Sequence, residues 1–173
     1  MKKYLITQDA FCQKQLQAYM PEYILYRDKT TTNYDKNAKV FREICSKFEG
    51  VKCFIHSRVE LAHTLGANGV HLTSVQFESI VHAKELGLEV IISTHTHAEV
   101  LQAQALGADA VTYSPIYASP NKGEPKGVED LKALLQKCTI KVFALGGIVE
   151  PWHVDSLKES GVYGFASIRY FQK

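Results

Sequence analysis

The chain has 173 residues, of which 46% are hydrophobic and 22% charged, a length and balance that suit one globular domain with a single core. The net charge is only +2, and no basic run exceeds a pair such as Lys2-Lys3. Nucleic acid and anionic membrane surfaces are therefore excluded as expected partners, because binding to either needs a concentrated basic face.

Short apolar runs alternate along the chain with segments of helical period. The runs predicted as strands are 4–7, 23–26, 52–56, 69–72, 89–93, 110–114, 141–145 and 163–167. Helices are predicted between them at 11–19, 34–48, 58–65, 76–86, 97–106, 127–137 and 151–160. This alternation favours an α/β fold with a parallel sheet and helical crossovers. Eight such units favour closure into a compact (β/α)8 TIM barrel, with residues 1–173 as one domain and a doubly wound open sheet as the alternative.

Glycines and capping sequences mark the ends of the predicted helices. The left-handed residue that ends a helix is predicted at four glycines: Gly66, Gly87, Gly107 and Gly161. Ser57-x-x-Glu60 and Thr96-x-x-Glu99 have the capping-box pattern, in which a hydroxyl and a carboxylate satisfy free backbone N–H groups at a helix start.

The cysteines bear on the cellular compartment. Cys12, Cys45, Cys53 and Cys138 form no C-x-x-C pair and fall mostly within apolar patterns. Buried reduced thiols in a cytoplasmic protein are therefore expected rather than a disulfide framework.

No apolar run approaches the roughly 20 residues of a membrane-spanning helix, and polar residues follow the basic start too soon for a signal peptide. A homo-oligomer is compatible with the sequence.

Two segments at predicted strand ends suit an anion, since a barrel carries its active site at the C-terminal ends of its strands. Arg27 and Lys29 follow the second strand with the same parity, so both side chains point one way in an extended chain and fit an anionic group; a solvated loop is the alternative. Gly146-Gly147 follows the seventh strand, where backbone N–H groups of barrels often bind phosphate; a plain tight turn is the alternative.

The longest irregular segment, Tyr113 to Gly127, is rich in proline, glycine and lysine. Long loops in compact domains tend to be lids or binding loops. Lys122 and Lys126 are its candidate anion ligands, and Gly123 is a candidate hinge.

The stretch IISTHTHAEV contains two histidines, His95 and His97, which could form a metal clip, take part in proton transfer, or lie in a polar loop. Thr96 is the predicted N-cap, so His97 is the first helical residue and the two rings need not share a face. A metal clip also needs further ligands.

Other histidines keep a composite metal site open, because His56 and His71 end other strands. His95 shares parity with Ser93 and would face the barrel mouth. A histidine there suits general acid–base chemistry, and a satisfied structural role is the alternative.

Taken together, these segments resemble the thiamine phosphate synthase/TenI family of (β/α)8 barrels over nearly the whole chain. YRDK resembles the family's Q-x-R-[ED]-K, and HSRVELAHTLGANGVHL resembles N-D-R-x-x-x-A-x-x-x-x-A-D-G-V-H-L. STHTHAEVLQAQALGADAVTYSPIYASPNKGEPKG is similar to S-x-H-[TS] followed by G-A-D-Y-V-x-x-G-P-I-[FY]-x-T-x-T-K and a later glycine. VFALGGI resembles the phosphate-binding [VA]-I-G-G-I.

The resemblance implies a role in thiamine biosynthesis. Synthases of the family join hydroxymethylpyrimidine diphosphate to a thiazole phosphate, with Mg²⁺ assisting the departure of pyrophosphate. TenI-type relatives tautomerise a thiazole carboxylate phosphate, with a proton-transferring histidine and no metal. Carried over, the resemblance places Gly146 and Gly147 at the thiazole phosphate, Arg27, Lys29 and Lys122 at a diphosphate, and His95 at the S-x-H histidine.

The departures from the family pattern concern the metal site. Leu25 replaces the family glutamine, and His56-Ser57 replaces the N-D pair whose carboxylate binds Mg²⁺. The family's G-Q-[DE]-D is replaced by Thr73-Ser74-Val75-Gln76. Its T-x-T-K is matched only in part by Ser119-Pro120-Asn121-Lys122. Because Mg²⁺ prefers carboxylate oxygen, no cofactor is expected unless the chain is a synthase. Arg169 stands near a position where the family often has a small residue, so it either adds a phosphate contact or blocks the site.

These departures favour a TenI-type thiazole phosphate tautomerase, an isomerase, with His95 as its catalytic residue. The expected substrate is a thiazole phosphate, and the predicted binding residues are Arg27, Lys29, Ser93, Lys122, Gly146, Gly147 and Arg169. The alternatives are a Mg²⁺-dependent thiamine phosphate synthase, which is a transferase, and a catalytically silent barrel that binds a phosphorylated ligand for regulation.

Overall fold

The computed structural model describes residues 1–173 and shows eight parallel strands closed into a barrel in chain order. The strands are β1 (Lys2–Thr7), β2 (Tyr23–Tyr26), β3 (Lys52–His56), β4 (Gly69–Leu72), β5 (Glu89–Thr94), β6 (Ala110–Tyr113), β7 (Lys141–Leu145) and β8 (Gly164–Ser167). The helices are α1 (Gln13–Tyr19), α2 (Tyr34–Cys45), α3 (Val59–Thr64), α4 (Ser79–Glu85), α5 (His97–Ala105), α6 (Gly127–Leu135) and α7 (Pro151–Lys158). A short 3₁₀ helix, Arg169–Gln172, follows β8 and was not predicted. The predicted (β/α)8 barrel is confirmed, and the open sheet is wrong because β8 pairs with β1.

The apolar strands are explained by burial on both faces, as parallel sheets require. Every residue of β2, β4, β6 and β8 is buried. Their outward side chains pack beneath the helices, where Leu16 of α1, Val100 of α5 and Leu131 of α6 join one large core.

The barrel interior is filled below the strand ends by four aromatic rings, which we call the aromatic floor: Tyr4, Tyr23, Phe54 and Phe143. The ring centroid of Phe143 lies 5.1 Å from that of Tyr4 and 5.0 Å from that of Tyr23. Gly164 makes room for this packing, because a Cβ there would lie 2.7 Å from the Phe143 ring. The aromatic floor fills the lower interior, so space for a ligand remains only above it.

The helix ends follow the prediction with one exception. Thr96 caps α5, since its hydroxyl accepts a hydrogen bond from the Glu99 N–H at 3.1 Å, and His97 is the first residue of that helix. The four predicted helix-ending glycines all have positive φ: 64° at Gly66, 79° at Gly87, 89° at Gly107 and 80° at Gly161.

The exception is Ser57, which does not cap α3. Its backbone is left-handed, with φ of 66°, and Arg58 is the residue that precedes the helix. The Ser57 N–H donates to the carbonyl of His71 at 2.8 Å, so pairing with the neighbouring strand fixes this residue before the helix begins. Glu60 pairs with His82 instead.

Two further findings concern the cysteines and the hydropathy of the helices. All four cysteines are free thiols, and Cys12, Cys45 and Cys53 are buried. None of the helices combines the length and the hydropathy needed to cross a bilayer.

Candidate active site

A cavity of about 460 Å³ opens at the C-terminal ends of the strands, and we call it the barrel-mouth cavity. Eight of the site residues predicted from the sequence line it: Arg27, Lys29, Ser93, His95, Lys122, Gly146, Gly147 and Arg169. Among its 22 lining residues there are four arginines and lysines and no aspartate or glutamate. The cavity is therefore a cationic site suited to an anion.

Lys126 does not belong to this site, contrary to its prediction as an anion ligand. Its ammonium lies 5.3 Å from the ring centroid of Tyr113, in a cation–π contact, and it does not line the barrel-mouth cavity. Lys122, four residues earlier, is the lysine of this loop that lines the cavity.

One wall of the cavity follows β2 and β3. Arg27 is half-buried, and its backbone N–H donates to the carbonyl of Thr7 at 2.8 Å, which continues the strand pairing past β2. Burial lowers the pKa of the Arg27 guanidinium from its usual value. Burial, and then the charges of Arg27 and Lys29, lower the pKa of His56 to about 4. His56 is therefore neutral at pH 7 and adds hydrogen-bonding capacity without further positive charge.

The Gly146-Gly147 turn after β7 is forced by close contact with the loop after β6. Both residues have positive φ, 99° and 69°. A Cβ on Gly146 would lie 2.7 Å from Cα of Pro115, and one on Gly147 would lie 2.6 Å from the carbonyl oxygen of Ala118. The N–H of Tyr117 donates to the carbonyl of Gly146 at 3.0 Å. Glycine is thus required here by packing.

The same turn carries backbone N–H groups that have no acceptor in the protein. The N–H groups of Gly146, Gly147 and Ile148 donate to no acceptor in the protein, and neither do those of Ile168 and Arg169 after β8. All five residues line the barrel-mouth cavity. Many barrels bind phosphate with backbone N–H groups in the loops after their seventh and eighth strands.

The contacts of His95 favour one tautomer. Its Nδ1 lies 3.2 Å from the carbonyl oxygen of Ser114 and 3.3 Å from the hydroxyl of the same residue. Because a carbonyl oxygen can only accept, a neutral ring with its proton on Nδ1 fits this contact and keeps a lone pair on Nε2. His95 can therefore act as a proton acceptor at Nε2 while Ser114 holds the ring in place.

His71, which the sequence suggested only as a strand-end metal ligand, lies buried beneath the cavity. Its Nδ1 is 2.8 Å from the Tyr4 hydroxyl, and its Nε2 is 3.0 Å from Oγ of Ser93. Burial, then His56 and Arg27, lower the pKa of His71 to about 3. Both ring nitrogens are already bonded within the protein. His71 is therefore already engaged within the protein, and no group of three His, Cys, Asp or Glu side chains is placed to hold a metal ion.

His97 does not line the cavity that His95 lines. Its Nε2 is 3.1 Å from the Asp130 carboxylate, and its Nδ1 is 3.3 Å from the ammonium of Lys137. Both partners belong to the α6 region, so His97 ties two outer helices together.

Two features of the site were not predicted from the sequence: the Tyr4–His71 contact and the backbone donors of Ile148 and Ile168. A signal for the first was present, because His71 alternates with Gly69 and Thr73 and so faces inward on its strand. Backbone donors, by contrast, have no sequence signal of their own beyond the glycines beside them.

Comparison with known proteins agrees with this geometry. A family model described as "Thiamine monophosphate synthase" matches residues 4–171. The "Thiamine-phosphate synthase" of Synechocystis sp. is 32% identical over 152 residues, which cover 84% of this chain and 44% of that protein. The protein of the same name from Dictyoglomus thermophilum is 32% identical over 147 residues, 81% of this chain and 61% of that protein. The chain thus spans less than two thirds of the length of these relatives.

A solved structure supports the fold. "Thiamine phosphate pyrophosphorylase from Pyrococcus furiosus" superposes with a TM-score of 0.83 at 24% identity, covering 96% of this chain and 85% of that one. The match over residues 4–171 spans nearly the whole barrel, and the chain therefore belongs to the thiamine phosphate synthase/TenI family.

Proposed function

We propose that the chain binds a thiazole phosphate in the barrel-mouth cavity and catalyses its tautomerisation, with His95 as the base that removes and returns the proton. The observation that carries this proposal is the free lone pair on Nε2 of His95 in a cavity without any carboxylate. His95 is the histidine of the cavity whose ring is held at one nitrogen by the protein while the other nitrogen can accept a proton. His71 differs, because both of its nitrogens are hydrogen-bonded within the protein.

The phosphate of the substrate is assigned to the loops after β7 and β8. The unpaired N–H groups of Gly147, Ile148 and Ile168 can each donate to a phosphate oxygen, and Arg169 adds a positive charge beside them. This placement leaves the ring of the substrate over the centre of the barrel, where His95 and Ser93 line the cavity.

Arg27, Lys29 and Lys122 would hold a second anionic group. Arginine offers a planar fork that matches carboxylate and phosphate oxygens, whereas the lysines act as point charges. A tautomerase substrate with a carboxylate and a phosphate uses both cationic regions.

The residues present do not fit Mg²⁺. This ion prefers near-octahedral oxygen coordination that includes one or two carboxylates. The cavity lining has none, and Ser57, Val75 and Gln76 stand where the family has its acids. We therefore assign no step of the reaction to a metal ion.

A second candidate is thiamine phosphate synthesis, because that activity is in the names of the relatives from Synechocystis sp. and Dictyoglomus thermophilum. In that reaction Arg27, Lys29 and Lys122 would bind the diphosphate of hydroxymethylpyrimidine diphosphate. The sequence relationship favours this function, and the acid-free cavity favours tautomerisation.

A direct assay separates the candidates. The protein is incubated with thiazole carboxylate phosphate alone, or with hydroxymethylpyrimidine diphosphate and thiazole phosphate, each with Mg²⁺ and with EDTA. Tautomerisation that persists in EDTA and falls by roughly 100-fold or more in His95→Ala supports the proposal. Thiamine phosphate made at an enzymatic rate establishes the second candidate instead. Tight binding without turnover of either substrate set would identify a silent barrel.

A further inference from the structure

Beneath the cavity, three side chains from three strands form a continuous hydrogen-bonded row. The hydroxyl of Tyr4 on β1 contacts Nδ1 of His71 on β4, and Nε2 of His71 contacts Oγ of Ser93 on β5. Tyr4 and His71 are buried, with exposed fractions of 0% and 2%, whereas Ser93 lines the cavity. The row therefore runs from the aromatic floor to the ligand space.

The direction of these hydrogen bonds follows from Tyr4. Its hydroxyl has no other polar partner, since its neighbours Tyr23, Phe54 and Phe143 present only rings to it. A buried O–H that donates to nothing is costly, so Tyr4 must donate to Nδ1 of His71.

His71 transmits this direction to the cavity. Burial holds its pKa near 3, so the ring is neutral at pH 7 and carries one proton. With Nδ1 accepting from Tyr4, that proton is on Nε2 and is donated to Oγ of Ser93. Oγ of Ser93 then accepts from within the protein, and its own hydrogen has no protein acceptor.

We propose that Tyr4 and His71 are positioning residues that hold the Ser93 hydroxyl as a hydrogen-bond donor toward the ligand, and that the group it recognises is a carboxylate. A carboxylate only accepts hydrogen bonds, so it fits a site that offers a fixed donor. The identification of a carboxylate rests on the proposed function, whereas the direction of the row does not.

The position of Ser93 links this contact to the chemistry. Ser93 and His95 are two residues apart on β5 and face the same side, about 6–7 Å apart along the strand. When Nε2 of His95 removes a proton from the carbon next to a carboxylate, negative charge spreads onto the carboxylate oxygens. A donor aimed at those oxygens stabilises this charge more than it stabilises the starting substrate. Ser93 is thus expected to affect kcat more than KM.

The first test measures the row without any ligand. Nitrogen-15 NMR of the imidazole in the wild-type protein is expected to show His71 as the neutral Nε2–H tautomer between pH 5 and pH 8. In Tyr4→Phe, which removes the hydroxyl that fixes the direction, this tautomer should no longer dominate. Tyr23→Phe is the matched control. It also removes a hydroxyl from the aromatic floor, but that hydroxyl pairs with Tyr163 and not with His71. A wild-type Nδ1–H tautomer, or an unchanged tautomer in Tyr4→Phe, would overturn the proposed direction.

The second test measures recognition by calorimetry with two compounds, thiazole carboxylate phosphate and the same phosphate ester without the carboxylate. Ser93→Ala should weaken binding of the carboxylate roughly tenfold and binding of the other compound less than about twofold. The single variant Tyr4→Phe should bind the carboxylate compound more weakly than the wild type. Added to Ser93→Ala, the same substitution should cause no further loss. Equal losses for both compounds, or additive losses in the double variant, would overturn the inference. If neither compound binds, the proposed function and the carboxylate assignment both fail, while the NMR result still decides the direction of the row.

Discussion

Replacing Gly147 by alanine tests whether the turn after β7 is held by the loop after β6. The φ of 69° at this residue costs an L-residue about 1–2 kcal/mol. The new Cβ would lie 2.6 Å from the carbonyl oxygen of Ala118 and 2.7 Å from the backbone of Tyr117, and forced overpacking of this kind costs about 1–3 kcal/mol more. We expect Gly147→Ala to lower the free energy of unfolding by about 2–5 kcal/mol, the sum of the two costs.

Gly66→Ala provides the matched control. Gly66 has nearly the same φ, 64°, but nothing lies within 4 Å of a Cβ built there. Its substitution should therefore cost only the backbone part, about 1–2 kcal/mol. Urea unfolding of both variants measures the difference, and each kcal/mol should also lower Tm by about 2–4 °C. If Gly147→Ala is no more destabilising than Gly66→Ala, the packing argument for this turn is wrong.

Three other predictions follow from the same contacts. Because the pKa of His71 is about 3 in the folded protein and about 6.5 for an ordinary histidine, the unfolded chain binds more protons between these values. The free energy of unfolding should thus fall as pH drops from 6.5 toward 3, by at most about 5 kcal/mol from this group. Urea titrations at several pH values check this. If the free energy of unfolding falls as steeply with pH in His71→Asn as in the wild type, the reasoning is contradicted. Lys122→Ala should weaken binding of a phosphate ester roughly twofold to fivefold by calorimetry, whereas Lys126→Ala should leave it unchanged; equal losses would count against the assignment. Thr96→Ala should destabilise the fold by about 1 kcal/mol through loss of the α5 cap, and Ser57→Ala by less than about 0.5 kcal/mol, as thermal unfolding can measure.

The barrel was predictable because its signals are repeated and local. Each strand is an apolar run, and each helix start or end carries residues whose effect depends on neighbours three or four positions away. The parity of Arg27 with Lys29, and of Ser93 with His95, then sufficed to place all four side chains at the barrel-mouth cavity.

The errors arose where contacts distant in sequence override a local pattern. Ser57 and Glu60 have the spacing of a capping box, yet the pairing of Ser57 with the neighbouring strand fixes its backbone in the left-handed region. The Tyr4–His71 hydrogen bond joins residues 67 positions apart, and only the closed barrel brings them together. Lys126 differs from Lys122 only in how its loop folds, which no periodicity encodes.

The lack of acids in the barrel-mouth cavity has an energetic consequence. A carboxylate beside Arg27 or Lys29 would act as an internal counter-ion and compete with an anionic ligand for these cations. Here the neutral rings of His56 and His71 contribute no charge, so the four cations of the cavity have no counter-ion within its lining. The ligand itself is then the partner of these charges. A phosphorylated ligand at 100 times its Kd should accordingly raise the free energy of unfolding by about 2.7 kcal/mol, with or without EDTA. Stabilisation that required Mg²⁺ would mean that the metal supplies the contacts assigned here to the protein.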